Sequence, residues 1–306
     1  MDFNYTEEQL MIQKAARDFA QSELLPGVIE RDETETFPAD QIKQMGELGF
    51  MGMMVDPKYG GSGLDTVSYE LAMEEISKVD ASASVVMSVN NSLVCWGIQT
   101  YGTEEQKEKY LPRLASGEII GAFCLSEREA GSDATSQKTT AIDKGDHYLV
   151  NGTKNWITNG KTASVYIVIA QTDIDKKHKG INALIIERGT PGFEVGIKER
   201  KMGIRGSDTH SLMFTDVKVP KENRIGEDGF GFKFAMKVLS GGRIGIAAQA
   251  LGIASGAYEL ALKYSKERKS FGKEICNHQA IAFKLADMAL NIEAARHLCI
   301  KAAWDK

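Results

Sequence analysis

The sequence predicts an α+β protein in which an all-α domain, an antiparallel, barrel-like β domain and a helical bundle follow one another. Apolar residues recur at helical spacing up to about residue 118. From about residue 120 to 225 they alternate or are β-branched, and turn residues separate the runs. Beyond Gly229 the helical spacing returns. We therefore expect domains at residues 1–118, 119–226 and 227–306, the last being an incomplete bundle in this chain.

The composition is that of an ordinary globular protein. Of 306 residues, 42% are hydrophobic and the net charge is −5. An acidic chain does not favour nucleic-acid binding, which depends on counterion release by Lys and Arg. Polar residues interrupt the most apolar stretch, 244–262, so we predict a buried helix there and no membrane span. The polar, acidic N-terminus has no signal-peptide pattern, and we expect a cytoplasmic location.

The first domain is predicted to be helical throughout. Segments with apolar residues at helical spacing are 6–25, 38–49, 66–79 and 84–99. Pro26-Gly27 ends the first of these segments. A further helix begins with a capping box, in which the Thr103 hydroxyl accepts from the Gln106 amide and the Gln106 side chain reaches back. This helix is expected to end near Gly117.

The middle domain is predicted to consist of short strands with tight turns, and the last domain of two long helices. Predicted strands are 148–150, 156–158, 164–171, 181–187 and 211–219. Turn sequences stand at Lys144-Gly145-Asp146, Asn151-Gly152, Asn159-Gly160 and Pro191-Gly192. The long helices are predicted over 232–268 and from Gln279 onward. Gly245, Gly252 and Gly256 in the first of them permit close helix packing.

Several widespread catalytic and cofactor motifs are missing. No GxGxxG follows a predicted strand, no GxxxxGK[ST] occurs, and Ser62 does not complete GxSxG. A dinucleotide-binding βαβ unit, a P-loop and a nucleophile elbow are therefore unsupported. The four cysteines form no CxxC pair and the histidines form no HExxH, which makes zinc and dithiol chemistry weak hypotheses.

Two segments of the β domain have the composition of a ligand site. The first, 123–134, combines small residues with two serines, so its N–H and hydroxyl groups suit a phosphate or the edge of a planar ligand. The alternative is an ordinary surface loop. The second contains Trp156 and Thr158, which face the same side of a strand and offer stacking and a hydrogen bond to an aromatic cofactor. Its alternative is a core tryptophan.

Two segments of the last domain carry cations. Ser240-Gly241-Gly242-Arg243 is expected to open the Gly/Ala-rich helix, and Arg243 either holds an anionic ligand or pairs with a neighbouring acid. Five cations surround Phe271-Gly272: Lys263, Lys266, Arg268, Lys269 and Lys273. They either complement the dipole at a helix C-terminus or bind a phosphorylated ligand on whose base Phe271 stacks.

In this order and spacing, the motifs resemble those of the acyl-CoA dehydrogenase family, most of all its short-chain (butyryl-CoA) branch. The resemblance covers residues 2–306. It rests on DPKYGGSG at 56–63, YGTEEQK at 101–107, CLSEREAGSDATS at 124–136, WITN at 156–159, KMGIR at 201–205, GRIGIAAQALG at 242–252 and ERKSFG at 267–272. So many motifs in one order are a specific signal, unlike any one of them alone.

The resemblance implies FAD as cofactor and assigns residues to two sites. FAD would contact Phe123, Leu125, Ser126, Gly131, Ser132, Trp156, Ile157, Thr158, Arg268, Phe271 and Gln279. Acyl-CoA would contact Ser132, Ser240, Gly241, Gly242 and Arg243. Trp156 would lie against the flavin ring, with the Thr158 hydroxyl near N5. Arg268 and Gln279 would reach FAD on a neighbouring subunit, which implies an oligomer, expected to be a homotetramer.

The implied reaction is α,β-dehydrogenation of short-chain acyl-CoA thioesters. A carboxylate removes the α-proton while hydride leaves Cβ for flavin N5, and electrons then pass to electron-transferring flavoprotein. The thioester oxygen needs hydrogen-bond donors as enolate character develops. Two alternatives stay open: a non-catalytic flavin- or CoA-binding module without the base, and an acyl-CoA oxidase on the same fold.

This chain departs from the family pattern at the base. In most members the base is a glutamate in the late C-terminal bundle, and we expect it beyond Lys306, so no catalytic residue is assigned within the chain. Some branches place a glutamate directly before the arginine of the 242–252 motif, but Gly242 stands there. Arg128-Glu129 replaces a more usual Pro-led pair, and Ser240 replaces a more usual acidic residue.

Overall fold

The computed structural model describes residues 4–306, and its elements follow the predicted order of helices, strands and helices. The chain forms two compact units. The helical unit comprises the residues up to Val28, Asp65–Val85 and Arg243–Lys306, and the mixed unit comprises Ile29–Leu64 and Val86–Gly242. The predicted domain boundaries near 118 and 226 lie within the mixed unit and remain predictions.

The N-terminal helices closely follow the predicted segments. They are α1 Glu7–Phe19, α2 Val28–Glu33, α3 Ala39–Glu47, α4 Thr66–Ser77, α5 Ala81–Ser88, α6 Trp96–Tyr101 and α7 Glu104–Ala115. A π-helical segment, Ala20–Leu24, extends α1, and another, Val89–Cys95, joins α5 to α6. The helix α2 was not predicted, because it has no buried residue and therefore no apolar face. The predicted capping box is confirmed, with the Gln106 amide donating to Thr103 Oγ1 at 3.3 Å.

The strands are more continuous than predicted. They are β1 Gly121–Cys124, β2 Thr140–Asp143, β3 His147–Thr158, β4 Val165–Gln171, β5 Ile181–Glu187, β6 Phe193–Lys198, β7 Thr209–Pro220 and β8 Arg224–Ile225. The prediction of a turn at Asn151-Gly152 is wrong, because β3 runs through it. The register of β3 against β7 shifts between Val150 and Gly152, and Gly152 has φ 146°. This is a β-bulge, for which glycine supplies the unusual backbone angle.

Eight strands form one sheet, in the order β6-β7-β3-β2-β4-β5-β8, with β1 paired to β4. All pairings are antiparallel except β1 with β4 and β2 with β4. Strand β4 is buried along its whole length because both of its faces are covered. Ile167 and Ile169 belong to the core that contains helix residues, whereas Tyr166 and Val168 belong to the core on the other face.

The C-terminal part of the chain contains two long helices and a hairpin between them. The helices are α8 Gly231–Glu267 and α9 Gln279–Trp304, and the hairpin strands are β9 Lys269–Ser270 and β10 Lys273–Glu274. The prediction that Ser240 to Arg243 open a helix is wrong: they lie inside α8, because neither Gly241 nor Gly242 interrupts its hydrogen bonding. Within the helical unit, close packing at Gly252 is confirmed, since a Cβ there would lie 2.4 Å from the Glu74 carbonyl oxygen.

Two helical stretches of the described residues, Ala81–Tyr101 and Gly231–Glu267, are long and apolar enough to cross a membrane. In the most apolar part of the first stretch 78% of the residues are buried, and in that of the second 39%. The core helix of a soluble protein passes the same test, so length and composition are weak evidence. The predicted absence of a span stays a prediction. Among residues 4–306, no group of three His, Cys, Asp or Glu is placed to hold a metal ion.

Candidate active site

The indole of Trp156 lies at the surface of the mixed unit because the strand that carries it is irregular. Trp156 has φ 58°, and the register of β3 against β7 breaks between Lys154 and Ile157. Trp156 is 52% exposed, whereas the side chain of Ile157 is buried and that of Thr158 is half-buried. The alternative of a core tryptophan is therefore wrong. An exposed ring and a half-buried hydroxyl thus lie two residues apart at the end of β3.

The segment after β1 lies beside this end of β3. The backbone N–H of Asn155 donates to the Ser126 carbonyl at 2.9 Å, which places Ser126 next to the residue that precedes Trp156. Phe123 and Leu125 are buried, and Ser126 is half-buried. Gly131 and Ser132 are exposed at the tip of the loop. The surface-loop alternative therefore describes only the tip, since the beginning of the segment is anchored to the sheet.

A buried ion pair that was not predicted from the sequence anchors the loop. Lys154 Nζ lies 2.8 Å from Glu127 Oε1, with both side chains buried. Burial lowers the pKa of Lys154 despite this carboxylate. The pKa of Glu127 is also held below its ordinary value, because Lys154 and two backbone N–H groups outweigh the effect of burial. The inward position of Lys154 in the alternation of β3 was the available sequence signal.

The turn that follows Thr158 is held by Asp208, which was also missed. The Asp208 carboxylate is buried and accepts from the backbone N–H groups of Lys161 at 3.3 Å and Thr162 at 2.7 Å. The Asn159 side chain donates to the Gly121 carbonyl at 3.0 Å. Thr158 is therefore fixed between a bulge on one side and a doubly bonded turn on the other. An aspartate before a strand is too common a pattern to have indicated this role.

The residues predicted to contact acyl-CoA are on two different elements. Ser132 lies in the loop after β1, whereas Ser240, Gly241 and Gly242 lie in α8. The exposed Ser240 hydroxyl donates to the Met236 carbonyl at 3.0 Å, one helical turn earlier. Arg243, the next residue of α8, is exposed.

Gly242 packs closely against the side chain of Leu93. It is buried, and a Cβ built there would lie 2.6 Å from Leu93 Cδ2. A glutamate at this position would require Leu93 to move. The position that some branches of the family use for the base is therefore a glycine packed against Leu93 in this chain.

The remaining predicted FAD contacts belong to the helical unit. Phe271 and Gly272 form the turn of the β9–β10 hairpin with φ values of 50° and 76°, as a two-residue turn requires. The ring of Phe271 is 96% exposed and lies 6.2 Å, centroid to centroid, from the ring of His278. Arg268 precedes the hairpin and Gln279 begins α9, and both side chains are exposed.

These groups suit a flavin. The exposed indole offers a stacking surface, and the hydroxyls of Ser126, Ser132 and Thr158 are donors for the polar edge of a ring or for a pyrophosphate. No βαβ dinucleotide-binding unit is present in the part of the chain that the structure describes. The fold and the site together define a flavin-dependent oxidoreductase that binds its cofactor without such a unit.

Comparison with known proteins identifies the family. The chain matches "Acyl-CoA dehydrogenase, N-terminal domain" over residues 6–118, the middle domain over 122–217 and the C-terminal domain over 229–306. It is 51% identical to the short-chain specific acyl-CoA dehydrogenase of Clostridium acetobutylicum over 306 residues, which are 100% of this chain and 81% of that protein. The chain belongs to the acyl-CoA dehydrogenase family of FAD-dependent oxidoreductases, and the resemblance seen in its motifs is confirmed.

Solved structures agree with this assignment. Butyryl-CoA dehydrogenase from Megasphaera elsdenii superposes with a TM-score of 0.97 at 51% identity, covering 99% of this chain and 80% of that chain. A structure from work on the electron transferring flavoprotein of Acidaminococcus fermentans and flavin-based electron bifurcation has a TM-score of 0.98 at 53% identity, with the same coverage of 99% and 80%. The predicted α+β fold class is therefore confirmed.

Proposed function

We propose that this protein catalyses the FAD-dependent α,β-dehydrogenation of short-chain acyl-CoA thioesters. The observation that carries the proposal is the half-exposed Trp156 indole near Thr158, at the end of β3 that the loop after β1 adjoins. Family membership supports the reaction class. The names of the relatives from Clostridium acetobutylicum and Megasphaera elsdenii support a short acyl chain.

The residues of the mixed unit bind and orient the reactants. Bound FAD would supply the acceptor for the hydride that leaves Cβ of the substrate. Trp156 provides a flat apolar wall, and the Thr158 hydroxyl provides a hydrogen-bond donor at the same end of β3. Ser126 and Ser132 add hydroxyl donors for the polar part of the cofactor, and Ser132 also reaches the thioester. Excluding water from this end of β3 would strengthen each of these hydrogen bonds.

No described carboxylate is proposed as the base that removes the α-proton. Glu127 lies within the loop after β1, but its two oxygens are occupied by Lys154 and by the backbone N–H groups of Lys138 and Thr139. Gly242, at the position where some branches carry a glutamate, has no carboxylate. We therefore propose no base among the described residues, and a glutamate beyond Lys306 stays the expectation that comes from the family resemblance.

We further propose that electrons leave to electron-transferring flavoprotein and that the protein acts as a homotetramer. The match to a structure from work on electron transferring flavoprotein supports the first point. The exposure of Arg268, Phe271 and Gln279 supports the second, because these side chains are available to reach FAD on another subunit. Sedimentation of the complete protein tests the oligomer, and cell fractionation tests the expected cytoplasmic location.

The test of the proposed reaction is the visible spectrum of the protein, expressed to its natural stop codon, before and after anaerobic butyryl-CoA. We expect a yellow protein that bleaches, and a Trp156→Ala variant that retains less FAD. Trp304→Ala is the control, since Trp304 is also exposed, at 61%, and lies on α9. A colourless wild-type protein would contradict the proposal. Binding without bleaching would favour the non-catalytic module, and fast reoxidation in air would favour the oxidase.

A further inference from the structure

The ammonium group of Lys154 is fully buried, and all three of its donors are used. Nζ donates to the Leu125 carbonyl at 3.0 Å, to Glu127 Oε1 at 2.8 Å and to Gln137 Oε1 at 3.0 Å. Lys154 itself is 0% exposed. It is in β3, two residues before Trp156, so one side chain connects the strand of the indole to both ends of the loop after β1.

Glu127 continues this connection to the far end of the loop. Its Oε2 accepts from the Lys138 N–H at 2.6 Å, and its Oε1 accepts from the Thr139 N–H at 3.0 Å. The Glu127 and Ala130 backbones also bond to each other, at 3.0 and 3.2 Å, which closes a tight turn before the exposed tip. The loop from 125 to 139 thus leaves the sheet and returns to it at one buried carboxylate.

The cost of burying this pair indicates a role beyond stability. Removing two charges from water is expensive, and a well-packed apolar pair of the same volume is often as stable or more stable. A buried charged pair is therefore weak evidence for a contribution to stability alone. The ion pair does fix position, because an ammonium with three acceptors at about 3 Å tolerates one geometry.

We propose that Lys154 and Glu127 are positioning residues that fix the loop carrying Ser126 and Ser132 relative to Trp156. By fixing this loop they determine the affinity for FAD and the environment of the bound flavin. This inference rests on the proposed function, because it assigns FAD to these residues. Neither residue contacts the cofactor itself, since the buried polar atoms of both are used within the protein.

Three variants of the complete flavoenzyme test the proposal: Lys154→Met, Glu127→Leu and the double variant. The measurements are the FAD dissociation constant by reconstitution of the apoprotein, the visible circular dichroism of bound flavin, and the melting temperature of the apoprotein. Lys109→Met is the matched control, because Lys109 pairs with Glu187 at 2.6 Å in the same unit but at the surface.

We expect Lys154→Met to lower the melting temperature of the apoprotein and to weaken FAD binding by roughly tenfold to a hundredfold, which corresponds to about 1.4–2.8 kcal/mol of binding free energy. The double variant leaves no unpaired buried charge, so it recovers part of the melting temperature; the rest stays lost because the buried Thr139 N–H no longer has its acceptor. It does not recover FAD affinity or the visible circular dichroism, because the loop is no longer held in one place. If the single variants fail to fold, the double variant by itself still tests the proposal.

A double variant with wild-type melting temperature, FAD affinity and circular dichroism would overturn the positioning role while leaving the proposed function intact. A wild-type protein that binds no FAD would overturn both. An equal loss of FAD affinity in the Lys109→Met control would also overturn the positioning role. It would mean that removing any paired lysine of the mixed unit weakens FAD binding.

Discussion

Within the helical unit, Arg296 of α9 forms a hydrogen-bonded ion pair with the carboxylate of Glu74 on α4. Its Nη2 lies 2.8 Å from Glu74 Oε1, and its Nε lies 3.2 Å from each of the two carboxylate oxygens. The Glu74 side chain is 1% exposed, so this guanidinium compensates a buried charge. Ser255 of α8 also donates to Glu74 Oε1, at 3.3 Å. One carboxylate therefore binds side chains from two C-terminal helices.

Replacing Arg296 by Met should destabilise the helical unit strongly. The substitution leaves the Glu74 carboxylate buried without its main partner, for which we expect a loss of about 3–5 kcal/mol in the free energy of unfolding. Urea denaturation followed by circular dichroism measures this loss. The control is Arg113→Met, because Arg113 pairs with Glu118 at 2.7 Å with both side chains at least half exposed. We expect the control to lose less than about 1 kcal/mol. Equal losses would refute the importance of the buried pair.

Glu70 should make the protein less stable as the pH rises through neutrality. It is fully buried, and neither carboxylate oxygen has a hydrogen-bond partner among the described residues. Burial, and then the charge of Glu74, raise the pKa of Glu70 from 4.5 to about 8. Between these values the folded protein holds a proton that the unfolded chain has released. The free energy of unfolding therefore falls as pH rises, by up to about 1.4 kcal/mol per pH unit from this group.

The Glu70→Gln variant has no ionisable group at this position and should lose that pH dependence. We expect it to match the wild type near pH 4.5 and to exceed it in stability at pH 8. Urea midpoints at pH 5, 6.5 and 8 measure the difference. Glu23→Gln, an exposed position on the π-helical segment after α1, is the control. A wild-type slope in Glu70→Gln would show that Glu70 is ionised in the folded protein.

Substitution of Phe271 should separate cofactor binding from folding. The ring is almost fully exposed, and its backbone is in the left-handed region, where Asn is more favourable than Phe. We expect Phe271→Asn to leave the free energy of unfolding of the apoprotein unchanged or slightly higher, while FAD is retained less well. Gel filtration followed by flavin absorbance measures retention. The control is Phe283→Asn, on the exposed part of α9. Undiminished FAD in Phe271→Asn would exclude Phe271 from the cofactor site.

Gly242 and Leu93 should be energetically coupled. A Cβ at Gly242 would overlap Leu93 Cδ2, so we expect Gly242→Ala to cost roughly 1–3 kcal/mol by overpacking. Leu93→Ala in the same chain opens that space, and the double variant should lose less than the sum of the two single losses. A double-mutant cycle by urea denaturation measures the coupling. Strict additivity would mean that Leu93 does not determine the space at Gly242.

The local sequence was sufficient to predict those features whose stabilising contacts join residues close together in the chain. The capping box of Thr103 and Gln106 joins residues three apart, and it is present as predicted. The strand Ile181–Glu187 has the predicted bounds, because its mostly apolar run fits a strand covered on both faces. The site residues in the loop after β1, in β3 and in α8 were predicted from sequence motifs. The motifs indicated which residues belong to the site but not how these residues are arranged in space.

The pairing of β3 with β7 determined features of β3 that its own sequence pattern did not predict. Asn151-Gly152 has the composition of a hairpin turn, yet β7 pairs with β3 on both sides of it and makes it a bulge. The outward turn of the Trp156 indole depends on a second register shift in the same pair of strands. Neither shift is visible in β3 alone, because a bulge is defined by the partner strand.

The sequence alone was sufficient to recognise this protein as an acyl-CoA dehydrogenase, because the order of its motifs is that of the family. It was also sufficient to predict the order of helices, sheet and helices, because apolar periodicity is a property of the linear sequence. The tertiary structure alone decided that Lys154 binds Glu127, that Glu70 has no hydrogen-bond partner among residues 4–306, and that Gly242 packs against Leu93. These properties depend on burial and on the geometry of residues distant in sequence. The free energy of a charge or a side chain at such a place depends on its neighbours, which a linear pattern does not contain.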